Sequence, residues 1–539
     1  MKRSFWKILL SALALLLLTA CGAQKLPQES EVYIPEEQRA SQSAGQVLAA
    51  TYAADEVFSL NAMTDSSFHP YYVSSAWNQV VDMLVYEPMI AIDANFEAQP
   101  SLITAWTTED GTNWVFSVDT SRRFHSGGRV TAYDLAYTIQ LARDTDMYKA
   151  RLSHVTGVSA QDDSTLLVSL DKPNRRFYAL LDIPGLESDT FYSDRPGGTG
   201  PYKFSAAGDM LLLDENHPKA DQMPLLRIYL TEYKTAADIL QAFENSYIDI
   251  AVNDPTSLSN LGYSRVNIAK YISTTKMHYL GYNMSSVLMS QMPLRSAMTY
   301  AIDRSTIVSS CLSGAGVPAA LPIHPQSSVY PADVARTMAY SPAKLAAGLE
   351  MAGLKDVDND GLLEMFSGVT ALKQQLRFIV CSDSSAKVSA ARRIADELEN
   401  AGLDVELSEL SYADYWAALA AGEFDIYYAE VKILPDWDIT ALFKPYEPKN
   451  SASLNFGRIG DSMLNDQYAA FLSADAENQP QAAVSLGQYL AQSAPITVIA
   501  FEMSEVLYHR GVISGMDPTQ DNIFNGMENW TVDLKANRS

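Results

Sequence analysis

The run Asp356-Val357-Asp358-Asn359-Asp360-Gly361 is the segment whose residue types and spacing come nearest to a metal site. Carboxylates at alternate positions, closed by a glycine, open a calcium loop in which side-chain oxygens face one ion. A full loop carries a bidentate Glu at its twelfth position. Ser367 stands there, so a turn is expected rather than a calcium site. Gly197-Gly198-Thr199-Gly200 has the glycine density of a phosphate cradle but lacks the Gly-Lys-Ser/Thr ending. Pro201-Tyr202-Lys203-Phe204 continues as a strand instead of a helix, so this too reads as a structural turn. The seven His form no HxxxH or HExxH pair, and His125 reads as a turn residue. No nucleophile elbow or paired-carboxylate motif stands out. No catalytic residue, metal ligand or cofactor is therefore assigned. Of the three Cys, Cys311 ends a helical pattern and Cys381 ends an apolar run. Two separate buried thiols are expected there, not a bridge.

Composition bounds the class. The 539 residues suffice for two to four domains, and 47% apolar with 10% aromatic content marks a globular body. A formal net charge of -25 excludes nucleic acid as a partner and favours solubility.

The elements that would position any site are mixed α and β. Val47 to Tyr52, Trp114 to Val118 and Leu166 to Leu170 read as strands, and Trp77 to Val85 carries helical spacing. Thr131 and Asp134 form a capping box ahead of Leu135, Ala136 and Ile139 on one helical face. Ser341-Pro342 opens a helix that Gly353 closes. Leu376 to Cys381, Val388 to Asn400 and Leu403 to Leu407 read as strand, amphipathic helix, strand.

The N-terminus carries Lys2, Arg3 and Lys7, an apolar run from Ile8 to Leu18, then Thr19-Ala20-Cys21. This order is a secretory signal, too short for a membrane-spanning helix. Cys21 after Leu18-Thr19-Ala20 resembles the lipobox of bacterial lipoproteins. The resemblance implies cleavage after residue 20 and lipidation of Cys21, with residues 21–44 as a flexible tether and the body anchored on the extracytoplasmic face of the cell membrane.

Thr104-Ala105-Trp106, Glu109-Asp110-Gly111, Trp114-Val115-Phe116, Arg123-Phe124-His125-Ser126-Gly127-Gly128 and Thr131-Ala132-Tyr133-Asp134 follow one another in order. Gly198-Thr199-Gly200-Pro201-Tyr202, Tyr279 to Asn283, Leu294-Arg295-Ser296-Ala297 with Tyr300-Ala301-Ile302-Asp303-Arg304, and Met351-Ala352-Gly353-Leu354 with Asp358-Asn359-Asp360-Gly361 continue the series. Together they resemble the extracellular solute-binding proteins of peptide and nickel ABC importers. The resemblance implies a two-lobed α/β periplasmic-binding-protein-like fold of type II, with an extra domain in its N-terminal half and a ligand cleft between the lobes. One lobe would combine residues 45–75, 191–275 and 500–539. The intervening domain would cover 76–190 and the second lobe 276–499. It further implies a monomer that captures oligopeptide and meets an ABC permease, with an oligosaccharide or a nickel complex as the alternative ligand. In peptide-binding members an Asp of an Ala-Asp-Tyr motif pairs with the peptide α-ammonium. Setting that motif on its aromatic residue puts Asp436-Trp437-Asp438 at the ligand; setting it on Pro435 puts the uncharged Ile433 there. The bland alternative is that Asp436 or Asp438 caps a helix at Ile439 to Phe443.

Overall fold

A computed structural model describes residues 57–536, apart from 258–259, 263–266, 368–369 and 448–452. Cys21, the tether and the strand expected at Val47 to Tyr52 lie outside the described residues.

The main sheet has eleven strands. In chain order they are β1 (Ser59–Asn61), β2 (Tyr202–Phe204), β3 (Met210–Leu213), β4 (Arg227–Thr231), β5 (Ile250–Asn253), β6 (Ile268–Tyr282), β7 (Gly316–Pro318), β8 (Gln375–Cys381), β9 (Asp404–Leu410), β10 (Ile426–Lys432) and β11 (Ile496–Tyr508). Their spatial order is β9-β8-β10-β6-β11-β5-β1-β4-β3-β2, and β7 pairs with β11. The two halves of this sheet are the cores of two lobes. Among the described residues only β6 and β11 extend through both, paired antiparallel from Ile268 opposite Tyr508 to Gly281 opposite Ile496. The register shifts between Ser273, opposite Met503, and Met277, opposite Phe501. Extra residues on one strand bend a ladder and raise its twist, so the chain turns from one lobe into the other at this bulge.

Local chemistry explains the other elements. Thr131 caps the helix Ala132–Ala142, and Asp134 bonds back to the cap. Ser341 accepts from the Lys344 backbone N–H at the head of Pro342–Met351. Gly353, at φ +82°, supplies the left-handed turn after that helix. The helix Ser385–Asn400 crosses between the parallel strands β8 and β9. The strands Ile103–Thr108, Asn113–Val118, Thr165–Leu170 and Val155–Asp162 form a separate antiparallel sheet. Its buried residues, Phe116 and Leu166 among them, join one core with Leu60, Ile228 and Val506 of the first lobe. This shared core binds the intervening sheet to that lobe. The second lobe buries apolar residues on both faces of its half-sheet: Tyr279, Tyr427 and Phe501 on one side, Leu280, Tyr428 and Phe378 on the other. Cys311 and Cys381 are free thiols, the latter buried. Among the described residues no helix is long and apolar enough to cross a membrane.

Charged groups gather where the lobes meet. Lys276 Nζ lies 3.0 Å from Glu502, 3.2 Å from Asp254 and 3.6 Å from Glu430. His278 Nε2 is 2.9 Å from Glu502, and Lys387 is 3.1 Å from Glu430. Thr256 donates its hydroxyl to Glu502 at 2.8 Å, and its carbonyl accepts from Ser384 at 2.8 Å. Asp254 and Thr256 follow β5, Lys276 and Glu502 sit on the crossing strands, and Glu430, Ser384 and Lys387 belong to the second lobe. His278, Glu430 and Glu502 offer donor atoms spaced for a metal. The Lys276 ammonium already supplies the positive charge at that point.

Candidate ligand cleft

The segment after β10 enters the space between the intervening domain and the second lobe. Ile433 donates its N–H to the Thr275 carbonyl at 3.0 Å and is buried. Asp436 is 2% exposed. Its Oδ1 accepts from the Asp438 backbone N–H at 3.1 Å and its Oδ2 from Asn174 Nδ2 at 2.9 Å. Burial and the charge of Asp438 push its carboxyl up to about 6, while the two donors favour the ionised form. Asp438 accepts from the Thr440 N–H at 2.8 Å and pairs with Lys172 at 3.6 Å. Thr440 opens a short 3₁₀ turn, Thr440–Leu442, where the sequence suggested a longer helix; Ile439 holds its N-cap position, so neither Asp436 nor Asp438 is the cap.

Trp437 is fully buried. Its backbone sits at φ +65°, in the left-handed region. The ring lies 5.4 Å from Phe96 of the intervening domain and 6.3 Å from Phe501 of β11. In this structure Trp437 packs between these rings, as buried as the Asp436 carboxylate beside it. The ring of His324 joins the same group, tilted against Phe96 at 4.4 Å. Burial pushes its pKa down to about 3, so it is neutral. The chain at 174–176 fastens the intervening domain to the second lobe. Besides Asn174, the Arg175 N–H bonds the Leu472 carbonyl at 2.7 Å, and the buried Arg176 reaches Gln479 at 3.3 Å.

Beside Asp436 lies a hollow of about 60 Å³, lined also by Arg151, His154, Asn174, Leu434 and Asp438. Arg151 is ion-paired with Asp182. Burial pushes Asp182 up to about 7, Arg151 opposes it, and Asp521 adds to the rise. Burial also raises Asp521, against the attraction of Lys432 and Arg151. Asp521 Oδ2 is buried without a hydrogen-bond partner. It lines a larger cavity, about 600 Å³, between the segment 517–528, the hairpin at 90–101 and the loop carrying His217. Arg151 and Asp182 come from the intervening domain, Lys432 from the second lobe, and Asp521 from the C-terminal part of the chain. None of these four was singled out in the sequence. Isolated charged residues carry no local pattern, and only burial after folding marks them. Dry, oppositely charged groups of this kind can hold the charged groups of a solute; nothing in the arrangement pairs a nucleophile with a base.

A family profile described as bacterial extracellular solute-binding proteins, family 5 Middle, matches residues 97–451. The oligopeptide-binding protein AppA of Bacillus subtilis is 24% identical over 406 residues, 70% of each chain. Among solved structures, CtaP of Listeria monocytogenes, an ABC transporter substrate-binding protein, superposes with a TM-score of 0.70 at 16% identity, covering 88% of this chain and 99% of its own. NikZ of Campylobacter jejuni, solved with Ni(L-His), gives 0.64 at 18%, covering 89% and 100%. At such identities the structural matches speak for the fold alone. The profile spans well over half the chain and the two-lobed fold agrees with it, so the chain belongs to family 5 of the bacterial extracellular solute-binding proteins and is a binding protein, not an enzyme.

Proposed function

We propose that this protein captures oligopeptides for an ABC importer by closing its two lobes on them. The observation that carries the reading is the pair β6 and β11, the two strands common to both half-sheets, together with Arg151, Asp182, Lys432 and Asp521, charged groups from three parts of the chain within electrostatic reach of one another. Closure about a few linking residues is a known way for such folds to bind. The same strands support lobes of 45–75, 191–275 and 500–539 against 276–499, with 76–190 riding on the first. The test is calorimetry with a peptide, an oligosaccharide and a nickel–histidine panel. Saturable binding of peptides supports the proposal. Binding of only a sugar or a nickel complex would leave a solute-binding protein with a different cargo.

Asp436 is the proposed partner of the peptide α-ammonium, met in the small hollow that it lines. Removing one member of a buried charge pair costs about 2–5 kcal/mol in comparable interfaces. Asp436→Ala is expected to weaken peptide binding roughly 30-fold or more, at 1.4 kcal/mol per tenfold. N-acetylated peptides should lose affinity for the wild type and lose little more for the variant. Equal binding of free and acetylated peptides by the wild type would remove the ammonium contact.

The anchor is a further part of the proposal. Cys21, behind Leu18-Thr19-Ala20, is taken to carry lipid, which would keep the protein beside its permease. Cys21→Ser should abolish lipid attachment and release the protein from membranes. A mature N-terminus found by mass spectrometry at another residue, without lipid, would contradict it.

A further inference from the structure

Glu364 is a buried carboxylate with an empty side. It is 2% exposed, and its Oε2 accepts from the Val357 N–H at 3.0 Å. Its Oε1 is buried with no hydrogen-bond donor. The nearest ammonium, Lys373 Nζ, is 3.9 Å away, too far to bond. A buried carboxylate left this way is costly unless a cation completes it.

Glu364 also lies beside other carboxylates. Leu354–Lys355 pairs antiparallel with the strand that starts at Glu364, and Lys355 lies opposite Glu364. The hairpin brings Glu364 back onto the loop that begins at Asp356. One carboxylate oxygen each from Asp356, Asp358 and Glu364 lies within 4.8 Å of the others. Asp356 holds the loop by accepting from the Asn359 N–H at 2.7 Å and the Gly361 N–H at 3.1 Å. Gly361, at φ +91°, allows the sharp turn. The donor set is all oxygen, which suits a hard cation. A flexible loop with several carboxylates suits calcium, whereas magnesium demands near-ideal octahedral geometry and zinc favours nitrogen and sulfur. Lys373 reaches Asp358 at 3.2 Å and also pairs with Asp360, with its side chain half-exposed. It neutralises the outer edge of the loop and stands at ion-pair distance from Glu364 Oε1, without a hydrogen bond to it.

We propose that Asp356, Asp358 and Glu364 bind a calcium ion. Glu364 is the ninth residue counted from Asp356 and supplies the carboxylate that Ser367 cannot. The ion would tie the loop to the hairpin in the second lobe, apart from the ligand cleft.

The test uses the full chain stripped with a chelator and titrated with calcium chloride by calorimetry. One ion per chain is expected, with Kd on the order of 0.1–1 mM, the range of extracellular modules. The thermal midpoint should rise in about 10 mM calcium, since the ion binds only the folded loop. Glu364→Gln and Asp358→Asn should each weaken binding at least about tenfold, the loss of one charged ligand. Asp358 is 53% exposed, so its variant remains a fair test if Glu364→Gln does not fold. No saturable calcium uptake by the wild type, or unchanged affinity in the folded variants, overturns the proposal.

Discussion

Lys276→Met is expected to destabilise the protein by about 3–5 kcal/mol, the usual consequence of removing one partner from a buried charge group. Glu502 is the reason. Its side chain is 2% exposed and lies 3.0 Å from the Lys276 ammonium. His278 and Thr256 remain as hydrogen-bonding neighbours, but the full positive charge is gone. Two further carboxylates lose the same partner. Burial pushes Glu430 up, yet Lys276, Lys387 and His278 outweigh it and hold the group below the usual glutamate value. Asp254 is likewise raised by burial and lowered more by Lys276 and Thr256. A carboxyl with a depressed folded pKa stabilises fully above its unfolded value, about 4, and loses that contribution as pH falls through the folded one. The wild type should thus keep this contribution at neutral pH and lose it only below about pH 4. Without Lys276 the acid limb should begin at higher pH, because the carboxyls no longer gain by ionising. Denaturant titrations at pH 7 and at pH 4.5 measure both effects. Equal stability of variant and wild type at pH 7 would show the cluster to be mere surface decoration.

The second large effect is expected at Trp437. Trp437→Ala should cost about 3–5 kcal/mol, as large aromatic-to-alanine changes in cores do. The indole is wholly buried between Phe96 and Phe501, so its loss opens a void that spans the intervening domain, the second lobe and a crossing strand. The backbone adds a finer expectation. At φ +65° an alanine keeps the left-handed penalty of about 1–2 kcal/mol, which glycine escapes. Trp437→Gly should therefore be no less stable than Trp437→Ala, the reverse of the order in a helix. Trp437→Phe should be the mildest of the three. It leaves a smaller void and removes an indole N–H that has no hydrogen-bond partner. Chemical denaturation of the three variants checks the order. A glycine variant clearly weaker than the alanine one would mean that the left-handed backbone does not persist.

Much of the local structure was legible in the sequence because its causes are local. The Thr131–Asp134 capping box, the Ser341 cap and the β8–helix–β9 unit each depend on residues a few positions apart, and each formed where the pattern placed it. The two-lobed fold was legible in another way, through the order of many short motifs, none specific alone. The candidate site was legible only in part. Asp436 was singled out by its aromatic neighbour, but its hydrogen-bond partner Asn174 is 262 positions away, and no spacing rule reaches so far. Trp437 looked like a ring for ligand contact because sequence does not show which way a backbone turns. In this structure its ring packs 5.4 Å from Phe96, a neighbour 341 positions away that no spacing rule reveals. Asp358 and Asp360 suggested a metal loop, and Ser367 at the twelfth position argued against it. Only the antiparallel pairing of Lys355 with Glu364 revealed a buried carboxylate with a free oxygen beside them. Local residue pattern accounts for the secondary elements, the family order of motifs and an acidic body with a signal-like N-terminus. Tertiary structure alone decided which charges lose their water and whom they then meet. Desolvation and Coulomb energy depend on distance in space, and the chain brings those groups together only after its lobes have formed.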